Sequence, residues 1–454
     1  HGMTLTQAAI INVDSGTTLS YGGVISSTAT LEKKGTGTLY LYGNNTFSGA
    51  TTVTQGTLQI GHAAALGDTS SGTTVSSGAS LYLTGAITFN AEPLNISGTG
   101  YSYGALYSSG NNTYSGPITL VADSTISSVS GTLTLSGGIS GSKNLTIYSL
   151  GNTTINSAIA TTGSLTKTGY GTLLLSVANT YTGTTTVSQG ILQLSHASAI
   201  GGSSSATVSS GATLELTGSN ISFDARPLTI TGYGYGTIGA LRNLSGNNTY
   251  TGDITLSSNT YINAYVSGDT LTLSGNIGGS GYPYLFGQGN IVLSGILSFT
   301  SGALQVYMDR SASTVTLSGS GTNTFNGGTA LYQGVLVLNK SNALNSSGGN
   351  ISFNGGTSYS TLKFSSSDTT DYSAKFAGSG GVTIDTASQV LTFNSVFSGI
   401  NGGLTIAGSG TLTINGANVS YVGPTTVNLG TTLVLGNASA LGGNLLTDNG
   451  TVNV

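Results

Sequence analysis

The feature that most constrains this sequence is a long internal repeat. Gln55–Ile60 returns as Gln189–Leu194, 134 positions later, and Asn111–Tyr114 returns as Asn247–Tyr250, 136 positions later. Similar blocks that recur over many residues with drifting spacing are typical of proteins that stack one structural unit on the next. The repeat therefore predicts a stacked architecture in which each unit buries the apolar face of its neighbour.

Short alternating segments fill the repeats. They share a period of two between apolar and polar residues and are bounded by Gly, Asn or Ser: Thr38–Leu41, Thr57–Ile60, Leu81–Leu83, Thr132–Leu135, Leu271–Leu273 and Thr411–Ile414. This pattern is typical of half-buried strands separated by turns. The better helix formers Glu, Lys, Arg and Met are scarce, since the chain has 10 Lys and Arg, 14 Asp and Glu and 2 Met. The sequence predicts an all-β protein.

Short strands, drifting repeats and missing helices favour a right-handed parallel β-helix, also called a β-solenoid. With roughly 18–25 residues per coil, the chain is long enough for roughly 20 coils, and stacked Asn and Thr side chains would form ladders at the turns. An array of β-sandwich domains is the main alternative. Against it, the sequence has no proline-rich linker and no shift of composition at any boundary.

The copies divide the sequence into successive segments. These are a tag remnant (1–3), N-terminal coils (4–33), a first copy (34–165), a second copy (168–300), a degenerate third copy (301–400) and a partial fourth copy (401–454).

Composition excludes several classes of function. The chain has no Cys, which excludes a disulfide scaffold, a Cys-ligated zinc site and a thiol nucleophile. Ten Lys and Arg among 454 residues are too few to neutralise a track of phosphates, so no nucleic-acid partner is predicted. An apolar share of 37% and a net charge of −4 are unlike a disordered chain. No metal and no cofactor are predicted.

An ordered motif runs through each copy. It reads Gly-Thr-Gly-Thr-Leu, then Asn-Asn-Thr-Phe/Tyr-x-Gly, then Thr-Thr-Val and finally Ala-x-Ala-Leu/Ile-Gly. It is found at 35–67 and 169–201 and less completely at 319–344 and 408–442. The motif resembles the autotransporter-associated β-strand repeat, also called the passenger-associated transport repeat.

The resemblance implies an exported β-helical passenger of a type V secretion system. It further implies a secreted or cell-surface location, a structural and adhesive rod as the function, and an outer-membrane β-barrel elsewhere in a longer parent chain. A toxin passenger is an alternative that the resemblance leaves open.

The histidines and carboxylates are the side chains that could act as catalytic groups. His62 and His196 occupy equivalent repeat positions, but Gly61 stands where the second copy has Ser195, and Asn437 replaces the imidazole in the fourth copy. The carboxylates are scattered. A polysaccharide lyase or glycosidase with its site in 224–310 or 363–375, dependent on Asp253 or Asp371, is an alternative function. The prediction is a protein that is not an enzyme and has no catalytic residue.

Tyrosine, whose side chain combines an apolar ring with a polar hydroxyl, is unusually frequent, with 23 in the chain. Its flat ring and hydroxyl suit contacts with sugars or protein surfaces. Tyr101, Tyr103, Tyr233 and Tyr235 are the candidate ligand-contact residues, and in a strand Tyr101 and Tyr103 would share one face. The predicted partner is an extracellular glycan or a surface protein, with self-association as a further option. The competing interpretation is stacking of these rings between coils.

Overall fold

The computed structural model describes residues 2–309, 312–355, 360–397 and 400–454. The chain divides into two units, an N-terminal unit of residues 1–215 and a C-terminal unit of residues 216–454. Among the described residues the only helices are two short 3-10 helices, Tyr235–Thr237 and Ser373–Lys375, and no helix is long and apolar enough to cross a membrane. Strands form the rest of the regular structure.

The N-terminal unit contains short strands. They are β1 (Met3–Thr4), β2 (Ala9–Asn12), β3 (Thr18–Tyr21), β4 (Ile25–Ser26), β5 (Leu31–Lys34), β6 (Thr38–Leu41), β7 (Thr51–Val53), β8 (Gly56–Ile60), β9 (Thr73–Val75), β10 (Ala79–Leu83), β11 (Thr88–Phe89), β12 (Leu94–Gly98), β13 (Leu106–Ser109), β14 (Asn112–Tyr114), β15 (Ile118–Ser130), β16 (Thr132–Leu135), β17 (Ile139–Gly141), β18 (Leu145–Ser149), β19 (Asn152–Ile155), β20 (Ile159–Thr161), β21 (Leu165–Thr168), β22 (Thr172–Leu175), β23 (Thr185–Val187), β24 (Gly190–Leu194) and β25 (Ala206–Val208). The next strand, β26 (Ala212–Leu216), ends at the first residue of the C-terminal unit.

The C-terminal unit continues the same pattern. Its strands are β27 (Ser222–Phe223), β28 (Leu228–Gly232), β29 (Leu241–Asn243), β30 (Asn248–Tyr250), β31 (Ile254–Ala264), β32 (Thr270–Leu273), β33 (Ile277–Gly279), β34 (Pro283–Gly287), β35 (Asn290–Leu293), β36 (Leu304–Met308), β37 (Thr314–Leu317), β38 (Thr329–Leu338), β39 (Ile351–Phe353), β40 (Ser360–Lys363), β41 (Phe376–Ala377), β42 (Val382–Asp385), β43 (Val390–Phe393), β44 (Leu404–Ala407), β45 (Thr411–Ile414), β46 (Thr425–Val427), β47 (Thr432–Leu435), β48 (Leu446–Asp448) and β49 (Thr451–Asn453).

Most strands of the N-terminal unit pair in parallel with a strand about one turn further along the chain. In β6, β8, β10 and β13, Leu39, Leu58, Leu81 and Leu106 pair in succession, 19, 23 and 25 residues apart. All four leucines are fully buried. Successive strand side chains point to opposite faces, so these columns form the core while their neighbours face outward. Burying one such side chain contributes about 1.5–3 kcal/mol.

The C-terminal unit is built in the same way. One buried column runs through β31, β34 and β36 and consists of Ile262, Leu285 and Val306. A second series of parallel pairs joins β32 to β35 and β35 to β37. In β34 the exposure alternates, with Leu285 buried and Tyr284 and Phe286 partly exposed on either side. The outward positions of these strands are therefore free to vary without disturbing the core.

The predicted fold class is confirmed. All six alternating segments are strands, and the two units together contain about 21 turns of parallel β-solenoid. Parallel pairing distinguishes this architecture from a β-sandwich, whose sheets are antiparallel. The handedness of the coil and the segment boundaries at 34–165, 168–300, 301–400 and 401–454 stay predictions.

Candidate functional site

Tyr101 and Tyr103 lie in the loop between β12 and β13, not in a strand, so strand alternation does not set their directions. Both side chains are about half exposed, at 49% each. The backbone N–H of Tyr101 donates to Ser80 Oγ at 2.9 Å, which ties the loop to β10. The ring centroid of Tyr103 is 5.7 Å from that of Tyr107, which stacks on Tyr82 at 4.4 Å. The loop thus presents rings that are partly held by their neighbours.

Tyr233 and Tyr235 follow β28 in the C-terminal unit. Tyr233 is 51% exposed, and its ring centroid is 4.6 Å from that of Tyr261 in β31. Tyr235 opens the 3-10 helix Tyr235–Thr237 and is half-buried. Tyr261, the ring neighbour of Tyr233, belongs to a longer series of rings.

The series, called the aromatic row below, runs across successive strands of the C-terminal unit. Its members are Tyr233, Tyr261, Tyr284, Phe286, Tyr307 and Tyr332. The ring centroid of Tyr261 lies 4.9 Å from that of Tyr284 and 5.3 Å from that of Phe286. Further along the row, the centroids of Tyr284 and Tyr307 are 6.5 Å apart, and those of Tyr307 and Tyr332 are 6.0 Å apart. These distances lie in the range of favourable aromatic pairs. The row is a continuous aromatic surface.

Polar side chains lie among the rings. Asn263 has its Cα paired with that of Phe286, which in turn pairs with Tyr307, and Gln305 pairs with Tyr284. Tyr261 and Asn263 are two residues apart in β31, so their side chains point to the same face. Asn263 is only 5% exposed and its Oδ1 atom has no hydrogen-bond partner. The face therefore combines rings with an amide oxygen that the protein itself leaves unsatisfied.

The carboxylates of the alternative catalytic regions hold backbone groups. Asp253 Oδ1 accepts from the N–H of Asn276 at 2.8 Å. Asp371 accepts from the N–H groups of Ser373 and Asn394, at 2.9 and 2.8 Å. The buried Asp368 accepts from the Tyr372 hydroxyl at 2.8 Å. Each carboxylate thus has a stabilising role that does not depend on a substrate.

The two repeat histidines form the same local turn. Nδ1 of His62 accepts from the N–H of Ala64, and Nδ1 of His196 accepts from the N–H of Ser198, both at 3.1 Å. Asn437 makes the equivalent bond, since its Oδ1 accepts from the N–H of Ser439 at 2.8 Å. The position requires an acceptor that reaches two residues ahead, and imidazole and amide both provide one. Within the described ranges, no three His, Asp or Glu side chains form a group that could hold a metal ion.

The buried asparagine of the repeat motif connects three successive turns. Oδ1 of Asn45 accepts from the N–H of Ile25 at 2.8 Å, and its Nδ2 donates to the carbonyl of Ala65 at 2.7 Å. The same arrangement occurs in the other motif copies, with Asn179 between Ile159 and Ala199, Asn323 between Leu297 and Ala343, and Asn418 between Phe397 and Ala440. The motif alanine therefore supplies the carbonyl that receives the asparagine.

A buried threonine hydroxyl has a tyrosine partner in those copies that carry tyrosine two or three places after that asparagine. The hydroxyl of Tyr181 lies 2.6 Å from Thr185 Oγ1, and that of Tyr421 lies 3.2 Å from Thr425 Oγ1. Two other copies have phenylalanine, at 47 and 325. There the buried Oγ1 atoms of Thr51 and Thr329 have no hydrogen-bond partner.

The Gly-x-Gly part of the motif wraps around a buried lysine. Gly169 has a φ of +76°, and a Cβ on Gly171 would collide with the carbonyl of Gly151, so both positions require glycine. Nζ of Lys167 donates to the carbonyls of Thr168, Gly169 and Gln189 at 2.9, 2.6 and 3.1 Å. Lys33 makes the corresponding three bonds at 2.9, 2.7 and 3.1 Å. Burial lowers the pKa of each lysine to about 8.

Glu92 is a buried carboxyl in the N-terminal unit. Its Oε1 accepts from Thr73 Oγ1 at 2.7 Å, while Oε2 has no hydrogen-bond partner. Burial raises the pKa of Glu92 to about 7, and the nearby charge of Asp68 adds to this effect. In the second copy the equivalent position is Arg226, whose sign is opposite.

The polar residues of the motif thus stabilise a stacked β-solenoid, which defines the chain as a repeat protein. The family model of the passenger-associated transport repeat matches residues 31–60, 165–194, 311–338 and 404–435. The chain carries these repeats, and its resemblance to autotransporter passengers is confirmed. No solved structure matches the chain.

A curated relative is similar to a larger part of the chain than the repeat model matches. This is the adhesin BmaC autotransporter of Brucella suis biovar 1 (strain 1330), which is 34% identical over 279 residues. The similarity covers 59% of this chain and 7% of that protein. The chain therefore corresponds to a small part of the relative's length.

Of the four tyrosines predicted from the sequence, Tyr233 belongs to the aromatic row, and the continuity of the row was not predicted. Tyr261, Tyr284, Tyr307 and Tyr332 follow one another 23, 23 and 25 residues apart, which is one turn of the solenoid. A search for tyrosine at the turn period would have found this signal.

Proposed function

We propose that this chain is part of the exported passenger of an autotransporter and acts as an adhesive β-solenoid, secreted or at the cell surface. The observation that carries the proposal is the 34% identity over 279 residues to a protein named as an adhesin. The four passenger-associated transport repeats support the same export route. The proposed partner is an extracellular glycan or a surface protein.

The arrangement of polar groups supports binding more than turnover. The carboxylates Asp253 and Asp371 accept backbone hydrogen bonds, and the repeat histidines close local turns. By contrast, aromatic side chains are exposed in both units. Rings with hydroxyl groups are enriched at binding surfaces because they combine large contact area with a polar tip.

Surface display tests the adhesive function. Residues 1–454 are anchored on a non-adherent bacterium, and cell attachment is measured on surfaces coated with glycans or with extracellular proteins. We expect attachment to at least one surface to rise several-fold and the purified chain to compete with it. Equal attachment of displaying and non-displaying cells on every surface would contradict the proposal. Sugar release, measured in the same wells, would instead support the lyase or glycosidase alternative.

We propose Tyr101, Tyr103, Tyr233 and Tyr235 as contact residues for that partner. Three of them are about half exposed, at 49%, 49% and 51%, and their truncation leaves the buried columns untouched. The double variants Tyr101→Ala/Tyr103→Ala and Tyr233→Ala/Tyr235→Ala should reduce attachment while circular dichroism shows an unchanged fold. Unchanged attachment in both variants would remove these four residues from the site.

A further inference from the structure

We propose that the aromatic row of the C-terminal unit is a binding platform for an extended, uncharged polysaccharide. This inference rests on the proposed adhesive function and specifies its ligand class and its location. The platform comprises Tyr233, Tyr261, Tyr284, Phe286, Tyr307 and Tyr332, together with the amides Asn263 and Gln305.

The row has the form of a track and not of an isolated patch. Its rings are contributed by successive turns, and neighbouring parallel strands lie about 4.8 Å apart. The tyrosine rings are tilted against one another by 33–56°, so each ring leaves part of its face uncovered. A ligand that repeats along its length can contact several of these rings at once, and linked contacts strengthen binding together.

The row also remains accessible to a ligand. Tyr233 is 51% exposed and Tyr307 is 43% exposed, while Tyr261, Tyr284 and Phe286 are partly exposed. The C-terminal unit also contains stacked rings that serve the core, such as Phe299 and Phe325, which are 1% and 0% exposed at a centroid distance of 4.9 Å. Rings needed only for packing can thus be buried in this fold, and the aromatic row is not.

The uncharged outward residues of these strands favour an uncharged ligand. The outward residues of the second half of β31 and of β34 and β36 are Tyr261, Asn263, Tyr284, Phe286, Gln305 and Tyr307, none of which carries a charge. The neighbouring cation Arg242 lies with its guanidinium carbon 4.2 Å from the ring centroid of Tyr265. An acidic glycan would lose water from its carboxylates and would meet Arg242 beside these strands, where its Cα pairs with that of Asn263 and its guanidinium is already placed over a ring. A neutral sugar offers apolar C–H faces for the rings and hydroxyls for the amides.

Asn263 provides a second, independent indication of a ligand. Its side chain is 5% exposed and shares the face of Tyr261, and its Oδ1 atom is buried without a hydrogen-bond partner. Leaving such an acceptor unsatisfied is costly. A sugar hydroxyl that lies along the row can donate to this oxygen once the side chains that cover it move aside, which would recover the cost on binding.

The test is calorimetric titration of the complete chain with oligosaccharides of two to six residues. Cellulose and chitin oligosaccharides are the neutral probes, and oligogalacturonate is the anionic probe. We expect the affinity for a neutral hexasaccharide to exceed that for the disaccharide at least about tenfold, because more rings are engaged. The anionic hexasaccharide should bind at least about tenfold more weakly than its neutral counterpart.

Variants locate the binding. Tyr284→Ala/Tyr307→Ala should weaken neutral hexasaccharide binding at least about tenfold. Tyr148→Ala is the matched control, since Tyr148 is an outward, partly exposed strand residue of the N-terminal unit, and its replacement should change affinity less than about twofold. If the double variant misfolds, hydrogen exchange of the unmodified chain replaces it, with protection by the hexasaccharide expected at 261–263, 284–286 and 305–307.

The outcomes separate this inference from the proposed function. Binding that does not increase with sugar length, survives in Tyr284→Ala/Tyr307→Ala or protects other segments would overturn the platform. If displaying cells adhere only to protein-coated surfaces, the adhesive function stands and the polysaccharide inference fails. If displaying cells adhere to no surface, the proposed function itself fails.

Discussion

The first and second motif copies of the N-terminal unit, residues 31–67 and 165–201, form nearly the same polar network. Lys33 and Lys167 each donate to three carbonyls, and His62 and His196 each accept at 3.1 Å. The copies differ at their buried ring, because Phe47 lacks the hydroxyl that Tyr181 places near Thr185. The comparison teaches that the motif specifies how turns are joined, and that a ligand site must be sought among residues that the motif leaves variable.

The asparagine of the motif should have the largest effect on stability. Replacing Asn45 or Asn179 by Ala leaves one buried N–H and one buried carbonyl without partners, at about 1–3 kcal/mol for each group. Each variant should therefore lose about 2–6 kcal/mol in urea unfolding. Asn111→Ala is the control, since the exposed Asn111 accepts one N–H bond from Thr132. A cost equal to that of the control would show that the turns are joined by other contacts.

The two equivalent lysines, Lys33 and Lys167, should make the free energy of unfolding rise with pH in the alkaline range. Below pH 8 the folded and unfolded states are both protonated at these groups. Between pH about 8 and the ordinary value of 10.5 the unfolded chain retains a proton that the folded chain releases, so the free energy of unfolding rises with pH. Relative to Lys33→Met/Lys167→Met, the chain should gain about 1–3 kcal/mol from pH 7 to pH 10.

The single lysine variants sharpen the comparison between the copies. Lys33→Met and Lys167→Met should each remove part of the pH dependence, because the two ammonium groups have matching partners. Unfolding is measured at each pH with urea. A pH dependence that persists unchanged in the double variant would assign it to other groups.

The sequence predicted the strands and the parallel stacking because both follow from local alternation and from the repeat period. It did not show which member of Asn44-Asn45 points inward, although Asn45 is 3% exposed and Asn44 is exposed. It also did not show that Tyr101 and Tyr103 lie in a loop or that Tyr261 and Tyr284 are adjacent. Those facts depend on how many residues each turn uses, and loop length varies from turn to turn.

Glu92, which follows the first motif copy, should change the free energy of unfolding with pH in the opposite direction from the lysines. Below pH 4.5 Glu92 is protonated in both states. As the pH rises from 4.5 to about 7 the unfolded chain ionises first, so the free energy of unfolding falls, and above pH 7 the loss is constant. Glu92→Gln keeps an acceptor for Thr73 and should stabilise the chain by about 1–2 kcal/mol at pH 8.

The pH profile separates this effect from a general gain in stability. Glu92→Gln should have no advantage at pH 4, measured by urea unfolding. Glu32→Gln is the control, because a hydrogen bond from Thr54 lowers the pKa of the partly exposed Glu32, and removing this carboxylate should not stabilise the chain. An equal gain from Glu92→Gln at pH 4 and pH 8 would contradict a titration of this carboxyl.

The smallest expected effect concerns the buried ring that is Phe47 in the first copy and Tyr181 in the second. Phe47→Tyr should place a hydroxyl near the unpartnered Thr51 Oγ1 and stabilise the chain by about 1 kcal/mol, whereas Tyr181→Phe should cost about the same by leaving Thr185 without that partner. The reciprocal pair controls for ring size, since both variants change only one oxygen. Unfolding free energies measured in urea should move in opposite directions. If Phe47→Tyr destabilises the chain, the first copy has no room for the hydroxyl, and the difference between the copies is one of packing and not of hydrogen bonding.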